Sequence, residues 1–197
     1  MLKRITSTLL LIAAILSLTA SLASCSKKST YYVKLEIRDY GDIILELDRD
    51  NAPITVDNFV SLVKSGFYDG LTFHRVIEGF MIQGGDPNGN GTGDSGKEIK
   101  GEFSSNGHNN KISHTRGVIS MARGNDYDSA SCQFFIVHAD SLYLDGKYAA
   151  FGYVIEGMDV VDAIVAGTVK YTYGGVIYYK QYQPVIERAT VLDNYKK

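Results

Sequence analysis

Apolar and polar positions alternate with a period of two over several short stretches of this chain, and switch to a helical period in two places. Residues 31–39 and 42–47 alternate on either side of Tyr40-Gly41, which predicts an opening β-hairpin. Asp50-Asn51-Ala52-Pro53 reads as a helix start, with a polar cap candidate and a proline in the first turn, where no amide hydrogen is needed. Val56, Phe59, Val60 and Val63 then recur at i, i+3, i+4 and i+7, a stripe that faces a core, and Gly66 ends the helix. Residues 72–76 and 80–83 alternate again, interrupted at Glu78-Gly79. Strict alternation puts Phe73 and Arg75 on one face and His74 on the other. Residues 148–155 read as a strand, and residues 157–165 carry a helical stripe of Met158, Val161 and Val165. Residues 171–182 are rich in tyrosine around Gly174-Gly175, the signature of an added hairpin, and residues 184–192 read as the closing strand. The pattern predicts many short strands and two helices. It does not by itself fix how the sheet closes.

The first residues break that pattern. Lys3 and Arg4 precede an apolar run over residues 9–18, and small residues lead to Leu22-Ala23-Ser24-Cys25. The apolar run is short of the roughly 20 residues a membrane span needs. Residues 1–24 are therefore expected to be a signal peptide, and Leu-Ala-Ser-Cys to be a lipobox that directs lipidation of Cys25. The plainer alternative is an ordinary signal peptide whose cysteine is incidental. Residues 25–30 then form the lipidated cysteine and a polar tether, and residues 31–197 one domain, extracytoplasmic and membrane-anchored through Cys25. Removing the leader takes Lys3 and Arg4 and no acid, so the formal charge moves from −2 to −4. Nothing in that charge, which forms no basic block, suggests nucleic acid as a partner. The 14 tyrosines, 20 glycines and absent tryptophan suit a turn-rich β protein. Cys25 and Cys132 are the two cysteines, so a lipidated Cys25 leaves Cys132 without an intrachain partner, a small buried apolar group.

The glycine-rich stretch between Gly84 and Gly107 offers three decoys. Residues 91–96 fit G-x-G-x-x-G, but no helical pattern follows. Residues 91–97 fit G-x-x-x-x-G-K, with Glu98 where Ser or Thr would hold magnesium. Asp86, Asn88, Asn90 and Asp94 have the spacing of a calcium loop, with Lys97 where a bidentate Glu is required. All three read as one surface loop. His74, His108, His114 and His138 lack metal-ligand spacing, and no G-x-S-x-G context supports a Ser-His-Asp hydrolase. No metal and no cofactor is expected.

Arg75 among apolar residues has two readings: a stem that packs while the head reaches water, or a fixed guanidinium serving an apolar pocket. Three separated motifs bear on the choice: FHRVIEGFMIQGGD from Phe73 to Asp86, SMAR with SCQFF from Ser120 to Phe135, and LDGKYAAFG from Leu144 to Gly152. In that order they resemble the cyclophilin family of peptidyl-prolyl cis-trans isomerases, the bacterial lipoprotein form in particular, from about Val33 to Leu192. The resemblance implies a mainly β fold, a closed eight-stranded antiparallel barrel capped by two helices. It implies a cofactor-independent isomerase acting on Xaa-Pro bonds of exported proteins and assisting their folding, as a monomer.

The same resemblance implies the roles of individual residues. Arg75, Phe80 and Gln83 carry catalysis, with Arg75 as donor to the twisted amide. Phe80, Met81, Phe135 and Leu144 form the proline pocket with Tyr148 at its wall, while Gln83 and Gln133 hold the peptide and Arg75. Ala122 and Arg123 line the groove. Tyr143 stands where many members carry Trp, Tyr148 where many carry His, and Arg123 where many carry Asn. Cyclosporin, a known ligand of the family, is accordingly expected to bind with weakened affinity. A non-catalytic peptide-binding scaffold or holdase on the same fold is the alternative.

Overall fold

The computed structural model describes residues 28–193 and 195. The leader, Cys25 and the first residues of the tether lie outside the described residues. Strand β1 (Thr30–Ile37) and β2 (Gly41–Asp48) form the expected hairpin, with Ile37 opposite Gly41. Helix α1 (Pro53–Lys64) buries Val56, Phe59, Val60 and Val63, the stripe read from the sequence. Phe59 is fully enclosed, with ring centroids of Tyr68, Phe134 and Phe151 at 5.0, 5.4 and 5.2 Å. Burying such a ring stabilises the fold by roughly 1.5–3 kcal/mol relative to leaving it in water. Helix α2 (Met158–Thr168) packs Val160, Val161, Ile164 and Val165 inward; Met158 is only partly buried.

The start of α1 differs from the sequence reading. Its N-cap is Ala52, and no side chain from Asp50 or Asn51 caps it. Asn51 instead donates to Asp48. The free amides of Ile54 and Thr55 donate to the carboxyl oxygens of Glu102, at 3.0 and 2.8 Å, and the Thr55 hydroxyl also donates to Glu102 at 2.7 Å. A negative group is favourable there because the first-turn amides lack helical partners and the helix dipole points its positive end outward.

The remaining strands are β3 (Thr72–Ile77), β4 (Met81–Asp86), β5 (Val118–Met121), β6 (Phe134–Val137), β7 (Ala150–Glu156), β8 (Thr172–Tyr173), β9 (Val176–Ile177) and β10 (Ile186–Leu192). They join one antiparallel sheet in the order β10-β1-β2-β7-β5-β6-β4-β3-β9-β8. This corrects the expected closed eight-stranded barrel: the sheet has ten strands and does not close. The reason lies in residues 171–182. Gly174 and Gly175, at φ of 59° and 86°, make a tight turn between β8 and β9, and the hairpin pairs with the outer edge of β3. The Val76 amide donates to the Gly175 carbonyl at 2.7 Å. With the edge taken at Arg75, β3 meets the chain leading into β10 only at its start, through the Thr72–Val185 bridge and the Phe73 amide, which donates to the Pro184 carbonyl at 2.9 Å.

A second correction concerns β3. Thr72, Phe73 and Arg75 pair with Asp86, Gly84 and Gln83, so His74 is an extra, unpaired residue in the ladder. Such a bulge reverses the alternation locally. Phe73 points into the main core against Phe134, at 5.9 Å between rings, while Arg75 faces a separate groove. They do not share a face.

Candidate active site

The groove is built from one register row. Arg75 of β3 lies opposite Gln83 of β4, Gln83 opposite Phe135 of β6, and Phe135 opposite Ser120 of β5. Directly paired residues project to the same side of a sheet, so these four side chains stand in line. Their neighbours alternate inward: Ile82, Phe134, Ile136 and Ile119 belong to the main core. Met81, Val118, Phe135, Val137, Leu144 and Ala150 form a second apolar cluster on the outer face, with Phe80, Ala122 and Tyr148 packed on it. Apart from Ser120, the residues of β5 and β6 are apolar on both faces because two clusters cover them.

A cavity of about 120 Å³ opens on this second cluster. Arg75, Gln83 and Arg123 bound its polar side, and Phe80, Met81, Ala122, Phe135, Leu144 and Tyr148 its apolar side. Its size suits one small ring rather than a drug-sized ligand, whose pockets run from about 300 Å³ upward. Tyr143 does not line it. That residue is 61% exposed and tilts against the Phe80 ring at 5.9 Å, at the rim. Gln133 lies in an adjoining cavity of about 320 Å³ that shares Gln83, Ala122 and Arg123 with the first.

Polar contacts aim the charged groups. Arg75 Nη1 donates to Gln83 Oε1 at 3.2 Å, Gln83 Nε2 to Gln133 Oε1 at 2.9 Å, and Gln133 Nε2 to the Gly93 carbonyl at 2.9 Å. Each amide is thereby oriented by the next, and the relay ends on backbone. Among the described residues no carboxylate pairs with Arg75, which leaves most of its five N–H directions for a ligand. Arg123 is fixed differently. Its guanidinium lies 5.3, 4.9 and 4.7 Å from the rings of Phe103, Tyr127 and Tyr148, and it donates to the Lys147 and Gly124 carbonyls.

Beneath Phe135 lies an arrangement the sequence did not disclose. The His114 Nδ1 is 2.8 Å from Asp145 and its Nε2 is 3.0 Å from the Ser120 hydroxyl. A serine, histidine and aspartate thus stand in line, although no hydrolase motif announces them. Ser120 and His114 are fully buried, so no substrate bond can reach the hydroxyl. Burial lowers the His114 pKa against the opposing pull of Asp145. The His114 ring stacks on Phe135 at 6.0 Å and 17°. These three residues hold the groove floor. A Ser within the otherwise apolar run of β5 is the one sequence feature that could have pointed here.

The decoys resolve locally. Burial opposes ionisation of Asp86, but the amides of Asn88, Asn90 and Gly91 overcome it and hold its carboxyl below the ordinary range. The Gly93 amide adds a fourth donor, so the loop consumes the carboxylate that a calcium site would have used. Among the described residues no three His, Cys, Asp or Glu stand together as a metal site. His74 is buried, and neither ring nitrogen has a hydrogen-bond partner; burial lowers its pKa and keeps the ring neutral. Cys132 is buried too, and burial pushes its thiol up to about 11, an inert group at neutral pH.

Comparison with known proteins gives a consistent answer. A family profile described as cyclophilin type peptidyl-prolyl cis-trans isomerase/CLD matches residues 32–190. A peptidyl-prolyl cis-trans isomerase of Helicobacter pylori is 47% identical over 131 residues, which cover 66% of this chain and 77% of that one. Peptidyl-prolyl cis-trans isomerase A of Dickeya dadantii is 43% identical over 158 residues, 78% of this chain and 80% of its own. Among solved structures, a cyclophilin type peptidyl-prolyl cis-trans isomerase of Cryptosporidium parvum superposes with a TM-score of 0.73 at 27% identity, covering 84% of this chain and 99% of its own. A second crystal structure of that protein, determined in the presence of the dipeptide Ala-Pro, gives a TM-score of 0.72 at 28% identity, over 83% and 99% of the two chains.

Proposed function

This chain belongs to the cyclophilin-type peptidyl-prolyl cis-trans isomerase family, and on that premise we propose that the groove beside Arg75 is where it turns Xaa-Pro bonds. Rotation about a peptide bond makes and breaks no σ bond, so no nucleophile or proton shuttle is called for. The obstacle is amide resonance, a barrier of roughly 20 kcal/mol, and each tenfold acceleration requires lowering it by about 1.4 kcal/mol. In the twisted state the nitrogen recovers a lone pair. A donor aimed at that nitrogen stabilises the transition state more than either planar isomer.

The observation that carries the reading is the row Arg75–Gln83–Phe135. It sets a guanidinium that has no acidic partner among the described residues at the mouth of an apolar cavity sized for one ring. The proline ring enters against Phe80, Met81, Phe135 and Leu144. Gln83 orients Arg75, and Gln133 with the backbone at Ala122 and Arg123 holds the flanking peptide. The Ala-Pro dipeptide present with the Cryptosporidium relative supports a proline-containing ligand. NMR exchange spectroscopy on an Xaa-Pro peptide tests it. The protein speeds cis-trans exchange, whereas binding with no faster exchange would return the case to a scaffold.

The reading extends to location. The lipobox at Leu22-Ala23-Ser24-Cys25 supports an extracytoplasmic lipoprotein whose clients are exported chains. No helix among the described residues is long and apolar enough to cross a membrane. Several acyl chains, at about 0.8 kcal/mol per buried CH₂, give stable anchoring. Cys25→Ala is expected to release the protein or leave an uncleaved precursor in membrane fractions. Mature wild-type protein that carries no lipid by mass spectrometry would end this part of the proposal.

Tyr143 governs the rim of the cavity. A tryptophan there adds apolar area and an indole N–H donor. Tyr143→Trp is therefore expected to tighten cyclosporin binding several-fold, or by about 1 kcal/mol. Calorimetric titration that gives equal or weaker affinity for the variant would show that another residue limits access.

A further inference from the structure

The geometry points to a substrate subsite on the β8–β9 hairpin, formed by Val176 and Tyr173, that receives an apolar or aromatic residue of the bound polypeptide some three positions from the proline. The inference rests on the isomerase reading of the groove and adds to it. The register row that builds the groove does not stop at Arg75. Arg75 pairs with Val176 of β9, and Val176 pairs with Tyr173 of β8. All three side chains therefore stand on the groove side of the sheet, continuing the line from Phe135 through Gln83. The neighbouring residue confirms the facing: Ile177 is fully buried in the main core, so Val176 points the other way.

The added hairpin thus lengthens the groove wall by two strands. Val176 is half-buried and Tyr173 is 80% exposed, an apolar step leading to a free ring. Adjacent strands are about 4.8 Å apart, so Tyr173 stands roughly 10 Å from Arg75 across the sheet. An extended peptide covers that distance in about three residues.

The platform is also held rigid, which a binding surface requires if ordering it is not to cost affinity. Gly175 accepts from the Val76 amide at 2.7 Å, and Gln183 Nε2 donates to the Ile177 carbonyl at 2.7 Å. Tyr171 and Tyr182, at the two ends of the segment, stack on each other at 4.0 Å and 3°. Residues 171–182 contain no acidic side chain, and the surface offered is largely aromatic. An apolar or aromatic guest suits it better than a small polar one.

The experiment uses the full chain in mild detergent and a family of Xaa-Pro peptides. Phe is compared with Ser at each of the second, third and fourth positions on either side of the proline. In the wild type one position favours Phe in kcat/KM by about tenfold, a gain of about 1.4 kcal/mol. In the double variant Tyr173→Ser, Val176→Thr that ratio falls to about twofold or less. Tyr173 is largely solvent-exposed and threonine keeps the β-branched shape of Val176, so a thermal melt serves only to verify folding. A flat profile in the wild type, or a preference that survives in the variant, overturns the subsite. The isomerase reading is judged separately by a short Xaa-Pro peptide that does not reach the hairpin. If that peptide shows no acceleration, the groove assignment falls and the subsite with it.

Discussion

Replacing Arg75 with alanine lowers kcat for Xaa-Pro exchange by about a hundredfold to a thousandfold, and leaves the fold intact. The size follows from losing one directed donor to charge that develops only in the transition state, about 2.7–4 kcal/mol. On the proposed role of Arg75 the effect falls on turnover more than on peptide affinity, because the nitrogen lone pair it would meet is absent from both planar isomers. Folding survives because Arg75 is only partly buried and, among the described residues, makes one side-chain hydrogen bond, to Gln83. Arg75→Lys is expected to restore little, since an ammonium keeps the charge but loses the planar fork that Gln83 orients. The check is NMR lineshape analysis over a range of peptide concentrations, with circular dichroism on each variant. Arg75→Ala protein that turns over within threefold of wild type would remove Arg75 from the mechanism.

Glu102→Ala destabilises the protein by about 2–4 kcal/mol, a fall in melting temperature of roughly 5–12 °C for a chain of this size. Glu102 is 1% exposed and its two oxygens accept from Ile54, Thr55 and the Thr55 hydroxyl. Alanine would leave two first-turn amides facing a buried space with no acceptor, and the loss of a cap adds to it. Glu102→Gln retains an acceptor and should fall between. Scanning calorimetry decides the matter. A Glu102→Ala melt within a degree of wild type would mean that water or backbone rearrangement satisfies α1 without it.

Elements governed by near neighbours were legible in the sequence. The first hairpin, both helices, the glycine turn at Gly174-Gly175 and the inward stripe of α1 all follow from local periodicity and turn chemistry. What depended on distant partners was not. A cap supplied by Glu102 from the loop after β4 leaves no mark near residue 53. The bulge at His74 is invisible to a two-residue period, which therefore put Phe73 and Arg75 on one face. The open sheet follows from which strand reaches the β3 edge, a contest that alternation cannot score.

The candidate site was legible through its motifs rather than its periodicity. The structure gathers Arg75, Phe80, Met81, Gln83, Ala122, Arg123, Phe135, Leu144 and Tyr148 at one cavity, sets Gln133 in the next and leaves Tyr143 at the rim. The buried Asp145–His114–Ser120 line under Phe135 carried no motif, because a support for the floor demands only packing and satisfied hydrogen bonds.

A sheet that does not close has two ends, and each end is a place where a stranger's chain could add itself. Exposed ladders of this kind seed aggregation. Here β8 is two residues long, too short to template a partner. The outward side of β10 is already engaged where it begins: Leu71 and Gly70 bond with Ile186, and Asp69 takes the Ala189 amide. Glu187 and Arg188 place exposed charges of both signs on the same strand. Among the described residues, the two ends of the open sheet thus leave little unpaired ladder for a second chain to extend.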